Sequence, residues 1–231
     1  MTKKSMPEIP RIVEGVFFTT PPRLPRGPHG LARDEVVESH RERLMIAFTE
    51  LIASRGYAAV GVKDIVDRSS VSRSAFYGCF DSKESCADAA YARFISVLVN
   101  KMTNSLVHRA SEDVFAVLAT YLTTLGSDLV VARAFQVEMD AASLPARERR
   151  RQALSGLAAV LHHEMQRQAA VDSELDSEIT VDAMIGAIYA VRQFASDLLD
   201  TEAEPDLGTV TPRLARWLEN SLRKPRGHSS A

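Results

Sequence analysis

The sequence predicts an all-α protein, with a cluster of short helices near the N-terminus and a larger helical part behind it. Three observations point there. Apolar residues recur at spacings of three and four through most of the chain after Asp34. No stretch alternates with a period of two for long enough to demand a sheet. The composition is rich in Leu, Ala, Glu and Arg and only 6% aromatic, which favours helix over strand. At 231 residues the chain has room for one or two domains and a core that needs no staples.

The elements follow in order. Residues 1–33 hold six of the ten prolines (Pro7, Pro10, Pro21, Pro22, Pro25 and Pro28) and are expected to form an extended, mobile arm. A first helix is predicted over 35–55, where Leu44, Ala47, Phe48, Leu51 and Ile52 form one apolar stripe, and Gly56 stops it. A short helix near 62–68 faces Val62, Ile65 and Val66 inward. Another near 73–79 faces Phe76 and Phe80 inward, with Ser72 as its cap. Asp81 and Glu84 read as a capping box for a long helix through Tyr91, Phe94, Leu98 and Met102. Further helices are expected near 111–125, 128–141, 145–170, 175–200 and 211–223, the last opening with Thr211 as cap and Pro212 at its first position.

Several classes drop out. Nothing approaches the roughly 18 unbroken apolar residues of a membrane span, and the polar N-terminus is no secretory signal, so no membrane partner and a cytoplasmic location are expected. Cys79 and Cys86 are too few for a disulfide framework or a zinc site. They flank the start of the long helix, yet nothing signals the lowered pKa a thiol switch needs. His162-His163-Glu164 lacks the i, i+4 histidine pair of a helical metal site and reads as ordinary helix surface. The run Arg147-Glu148-Arg149-Arg150-Arg151 reads as a solvated helix start rather than an anion site. With no nucleophile–base set and no glycine-rich phosphate loop, neither an enzyme nor a cofactor is expected.

The net charge is −2, but it is unevenly spread. Residues 1–87 carry 13 Lys/Arg against 11 Asp/Glu, and the remainder carries 15 against 19. A phosphate-binding surface needs local positive charge, not a basic whole protein.

Residues 56–84 are where the pattern carries chemistry. Two short helices are joined by about four residues, with one helix behind and another in front. In a helix-turn-helix the first short helix braces the second, which offers small and polar residues to the major groove. Ser72, Arg73, Ser74, Ala75 and Tyr77 fit that description. The small residues let the backbone approach DNA, and Arg73 suits a bidentate pair with guanine or with a phosphate.

At these residues the chain resembles the TetR family of transcriptional repressors. The matching pieces are Ala53-Ser54-Arg55-Gly56-Tyr57, Val62-Lys63-Asp64-Ile65, Val71-Ser72-Arg73, Phe76-Tyr77-Gly78-Cys79-Phe80 and Ser82-Lys83-Glu84. The resemblance is strong over about 40–87 and elsewhere amounts to a helical layout. It implies phosphate contacts from the Tyr77 hydroxyl and from Lys83, base-edge reading by Arg73 and Ser74, and a backbone contact from Lys63. Three positions depart from the family pattern. Val60 and Gly61 replace two threonines, Val66 replaces an alanine, and Ser70 replaces the turn glycine. In the arm, Arg26 within Leu24-Pro25-Arg26-Gly27-Pro28-His29-Gly30 suits an adjacent minor groove, the alternative being a solvated tail.

The resemblance also implies a layout: arm 1–33, a three-helix DNA-binding domain at 34–84, and a helical ligand-binding and dimerisation domain at 85–231. It puts a homodimer interface on the last two helices, with Ile179, Ala183, Gly186, Ala187, Ala190, Val191, Leu214, Trp217 and Leu218 as candidates, against the alternative of intrachain core. It puts an effector pocket among the middle helices. Phe115, Tyr121, Phe135, Met139, Met165, Tyr189 and Phe194 are its candidates, each alternatively plain core. The expected protein is thus a dimeric repressor that binds a double-stranded DNA operator and is released by a small apolar or amphipathic effector. The alternative is a helical protein-interaction module whose head does not bind DNA.

Overall fold

The computed structural model describes residues 9–23, 32–108, 114–141 and 144–224. Among them are α1 (Arg33–Arg55), α2 (Val62–Ser69), α3 (Arg73–Cys79), α4 (Lys83–His108), α5 (Val114–Gly126), α6 (Leu129–Gln136), a 3-10 turn (Glu138–Ala141), α7 (Leu144–Ala169), α8 (Val181–Thr201) and α9 (Leu207–Leu222). Extended pairing among the described residues is limited to two isolated bridges, so the fold is all-α as expected. The chain divides into two compact units, Met1–Phe94 with Ser127–Arg147, and Ile95–Gly126 with Glu148–Ala231. The head expected at 34–84 lies inside the first, which also takes in the start of α4 and all of α6.

In the first unit α1 is the central rod. The sequence shows one apolar stripe on it, yet burial is continuous from Leu44 to Ile52. The reason is that α2, α3 and α6 all pack on α1, so little of its middle is left to solvent. Gly56 ends the helix at φ 78°, a conformation that favours glycine, and its N–H bonds back to Ile52. An aromatic cluster fills the other part of the unit. Phe94 lies 5.1 Å from Phe135 and 5.3 Å from Phe17, and Tyr91 lies 5.8 Å from Phe135, centroid to centroid.

The arm corrects an expectation. Prolines suggested an extended, mobile segment throughout 1–33, but within 9–23 Ile12, Phe17 and Phe18 are buried. Apolar side chains outweigh the prolines here, because burying two phenylalanines against the core favours order strongly. A tight turn bridges Glu14 to Phe18 through Gly15 at φ 80°, and Thr20 donates to the Glu14 carboxylate through both its N–H and its hydroxyl. Arg43 of α1 donates to the carbonyls of Pro21 and Pro22 at 2.8 and 2.9 Å.

In the second unit α9 packs on α5 and α8. The helix expected at 175–200 begins only at Val181, with Thr180 accepting from the Ala183 N–H. The preceding residues are instead drawn into a turn. Nε2 of His162 bonds the Ile179 carbonyl at 3.0 Å, Gln166 donates to the Ser177 carbonyl at 2.8 Å, and the N–H of Asp176 bonds the Leu222 carbonyl at 3.0 Å. The last helix starts earlier than expected. Asp206 accepts from the Gly208 N–H and caps it, so Pro212 falls inside α9 and leaves the Gly208 carbonyl without its usual helical donor. The stretch expected as one helix over 128–141 is α6 followed by the 3-10 turn.

Candidate nucleic-acid interface

α2 is held through its ends as much as its core. It buries only Ile65 and Ser69. At its start the Asp64 carboxylate accepts from the Gly61 N–H at 2.9 Å and pairs with Arg55 of α1 at 3.4 Å. The first of these contacts is the half of a capping box that a glycine cap can still make. At its end Arg68 pairs with the buried Glu50 of α1 at 2.7 Å. On the outer side Lys63 is exposed and paired with Asp67, one turn on, at 2.9 Å. Hydrogen bonding to that carboxylate raises the lysine's pKa, which keeps it charged.

The turn into α3 is three residues long. Ser70 stands at φ 57°, ψ 29°, the left-handed region usually given to glycine, so this chain keeps the turn with a serine. Ser72 then caps α3 as expected, its hydroxyl accepting from the Ala75 N–H at 3.1 Å.

α3 divides cleanly by exposure. Phe76 and Phe80 are buried and anchor it. Ser72, Arg73, Ser74 and Tyr77 are exposed and Ala75 is half-buried. The Arg73 guanidinium carbon lies 5.8 Å from the Tyr77 ring centroid. Gly78 beside them faces open space, which keeps bulk off this face. Five of the eight residues assigned to DNA from the sequence are thus brought together on one helix. The far end of α3 is tied to α1 by Arg41, which donates to the Cys79 carbonyl at 2.7 Å and lies 4.4 Å over the Phe80 ring. The sequence reading did not single out Arg41. A cation eight residues after a helix start carries no pattern that distinguishes it from solvated surface.

α4 starts one residue later than its expected box. Ser82 and Ser85 cap it reciprocally, each hydroxyl accepting from the other's N–H at 3.2 and 3.1 Å, and Glu84 turns instead to the Tyr57 hydroxyl. Lys83 lies with its ammonium 4.0 Å from the Tyr57 ring centroid and donates to the Tyr57 carbonyl at 3.2 Å. Burial, with the Glu84 charge next, pushes the Tyr57 phenol up to about 12, so it stays neutral beside the lysine. Arg26 lies outside the described residues.

The other candidates are distributed differently. Phe135 and Met139 belong to the first unit and are buried there. Tyr121 and Met165 belong to the second, the first half-buried and the second buried. The Phe115 side chain lies outside the described residues. Tyr189 and Phe194, 36% and 49% exposed, share the outer side of α8 with Ala183 and Gly186. Among the dimer candidates, Ala187 and Ala190 are half-buried, while Val191, Leu214 and Leu218 are buried inside their own unit and Trp217 is 43% exposed. Ile179 precedes α8 and serves the His162 contact. Among the described residues no helix is long and apolar enough to cross a membrane, and no cluster of His, Cys, Asp and Glu is placed to hold a metal ion.

Residues 47–90, from the middle of α1 into α4, match the family of bacterial regulatory proteins of the tetR type. The chain is 37% identical over 76 residues to the HTH-type transcriptional activator FasR of Mycolicibacterium smegmatis, a match that spans 33% of each protein. Its fold is similar to that of the fatty acid degradation regulator FadR from Bacillus halodurans, with TM-score 0.70 and 16% identity over 78% of this chain and 94% of that one. It is likewise similar to FadR from Bacillus subtilis, crystallised with stearoyl-CoA, with TM-score 0.69 and 18% identity over 78% and 98%. A braced three-residue turn, an α3 exposed along its polar face, and these likenesses agree: residues 47–90 are similar to the DNA-binding part of bacterial regulatory proteins of the tetR type, and the fold is similar to that of the regulators named above.

Proposed function

We propose that the protein is a homodimeric repressor that grips double-stranded operator DNA with α3 and lets go when a small amphipathic effector binds. The observation that carries the reading is the division of α3, with Phe76 fully buried beneath while Ser72, Arg73, Ser74 and Tyr77 stand exposed. Arg73 and Ser74 read base edges in the major groove, and Ala75 and Ser72 keep the backbone close. The Tyr77 hydroxyl, Lys83 and Lys63 hold phosphates, and Arg26 enters the neighbouring minor groove. Two copies joined through the outer faces of α8 and α9 present two such helices to half-sites about one helical turn apart.

The effector class is supported by a neighbour of similar fold. The FadR of similar fold was crystallised with stearoyl-CoA, which motivates a long acyl chain on a charged headgroup as the effector. It acts only by binding the released conformation more tightly than the DNA-bound one. FasR, matched over the head, is an activator. The same grip activates where the operator lies upstream of a promoter, so the sign of control follows operator position.

The test is selection of duplexes from a random 40-bp library with the full chain, followed by titration of the selected duplex with stearoyl-CoA. The expected result is a two-fold symmetric consensus whose complex dissociates as the thioester is added. Absence of any enriched sequence refutes the DNA-binding reading, and a complex indifferent to acyl-CoA refutes the effector class.

A further inference from the structure

We propose that the segment Ile12–Thr19 is a strap that positions the DNA-reading helices, so that DNA affinity depends on a part of the chain that touches no DNA. This rests on the DNA-binding reading above. Three of the strap's backbone N–H groups are received by three carboxylates, and each carboxylate also serves a different helix.

The N–H of Ile12 bonds Oε1 of Glu50 at 3.2 Å, while Oε2 of Glu50 takes the Nε of Arg68 on α2 at 2.8 Å. The N–H of Val13 bonds Oδ2 of Asp128 at 2.8 Å, while Oδ1 of Asp128 caps α6 by accepting from Val130 and Val131, both at 3.1 Å. The N–H of Thr19 bonds Oε1 of Glu42 at 3.3 Å, and the same carboxylate pairs with Arg93 on α4 at 3.4 Å. Glu50 is 6% exposed, Asp128 1% and Glu42 9%, so water does not stand in for these donors.

The tie to α2 matters most. That helix buries only two side chains, so its attachment to α1 leans on Arg68–Glu50, and Glu50 is held in place by the strap. Ile12, Phe17 and Phe18 are buried and keep the strap seated. Val13 is 48% exposed, so its N–H is engaged while its side chain is not. That asymmetry gives a clean probe.

The experiment uses the full chain and two variants, one that cuts a tie of the strap itself and one that cuts the link from Glu50 to α2. Val13→Pro removes the N–H donated to Asp128 and leaves the core side chains intact. Glu50→Gln keeps the shape and the acceptor for Ile12 but removes the charge that holds Arg68. Binding to a duplex selected by the wild-type protein is followed across salt concentration, and amide hydrogen exchange is followed in α2 and α3 without DNA. Both variants are expected to lose about tenfold in affinity, the scale of one buried charge-assisted hydrogen bond. The salt slope should be unchanged, because no phosphate contact is lost. Exchange in α2 and α3 should accelerate while α9 stays protected.

Wild-type affinity and exchange in both variants overturn the strap. A flattened salt slope also overturns it, since the segment would then be touching DNA itself. If the wild-type protein selects no duplex, the DNA-binding reading fails, and the exchange experiment still decides whether the strap holds α2.

Discussion

The Lys83 ammonium donates to the Tyr57 carbonyl at 3.2 Å and stands 4.0 Å from the centre of the same residue's ring. One residue thus fixes a charge at the first position of α4, next to the positive end of that helix. Phe48 packs edge-on against the ring from α1, so the platform under the lysine belongs to the core. An ammonium has three donors, and the two left over by Tyr57 suit a phosphate. Lys83→Ala is expected to weaken binding to every duplex and to flatten the dependence of log affinity on log salt by about 0.9, one phosphate contact. Arg73→Ala should relax sequence preference instead. Fluorescence anisotropy over a salt series on matched and mismatched duplexes separates the two, and an unchanged slope in Lys83→Ala removes that lysine from the interface.

Ser70 has a left-handed backbone and an exposed side chain, so its conformation is separable from its contacts. A non-glycine residue there costs about 1–2 kcal/mol, and glycine returns about 0.5–1 kcal/mol of that as extra chain entropy on unfolding. Ser70→Gly should therefore raise the thermal midpoint modestly, by no more than about 1 kcal/mol of stability. Ser70→Val should lower the midpoint, with a loss of about 1–2 kcal/mol of stability, because a branched Cβ fits this region worst. Calorimetry on both variants checks the ordering Gly, Ser, Val.

The two thiols bracket the α3–α4 turn, and both are poor nucleophiles. Burial pushes Cys86 up to about 12, and burial raises Cys79 despite the opposing Arg41 charge. With Ellman's reagent at neutral pH, the folded protein should show one slowly reacting thiol, and the second only on unfolding. Two fast thiols in the native state would contradict the packing around Cys86.

Much of the reading head was legible in the sequence because its signals are local. Ser72 caps α3 three residues from its partner N–H, Gly56 ends α1, and Phe76 with Phe80 mark the anchored side of α3. What stayed hidden depends on contacts distant along the chain. Glu50 and Glu42 look like ordinary helix-surface carboxylates until the strap and Arg68 or Arg93 close over them. The prolines of the arm masked the pair Phe17-Phe18, whose burial needs α4 as a partner. Likewise the 175–180 stretch has helical spacing, but His162 and Gln166 of α7 take its carbonyls. The pocket candidates came from the middle helices that the resemblance implies, and helical spacing alone does not tell an aromatic inside a core, such as Phe135, from one on an outer face, such as Phe194.

Asp128 makes the strap sensitive to acid in a direction that can be worked out. Burial raises its carboxyl above the ordinary value near 3.8, against the lowering by the N–H groups of Val131, Val13 and Val130, and the Glu50 charge raises it further. The folded state therefore holds this proton more tightly than the unfolded chain. The stabilisation from that proton is full below the ordinary value and is lost as pH rises through the folded one. Asp128→Asn abolishes the titration. The stability gap between wild type and variant should then be wider at about pH 3.5 than at about pH 7, as read from urea unfolding. A gap that widens toward neutral pH would mean the N–H groups outweigh burial.

Trp217 is the only tryptophan and is 43% exposed on α9, so it reports on any surface that covers that helix. If α8 and α9 join two copies, dilution exposes the indole and shifts its emission to the red at a concentration that marks the dimer's dissociation. Phe194, 49% exposed on α8, provides the complementary cut. Phe194→Glu buries a charge in the interface of the dimer but leaves the isolated subunit's core untouched, so it should give a folded monomer by sedimentation, with the red-shifted emission at all concentrations. DNA affinity should fall with it, because a single reading head forfeits the second half-site. A Phe194→Glu protein that sediments as a dimer with unshifted emission would place the subunit contact on some other face.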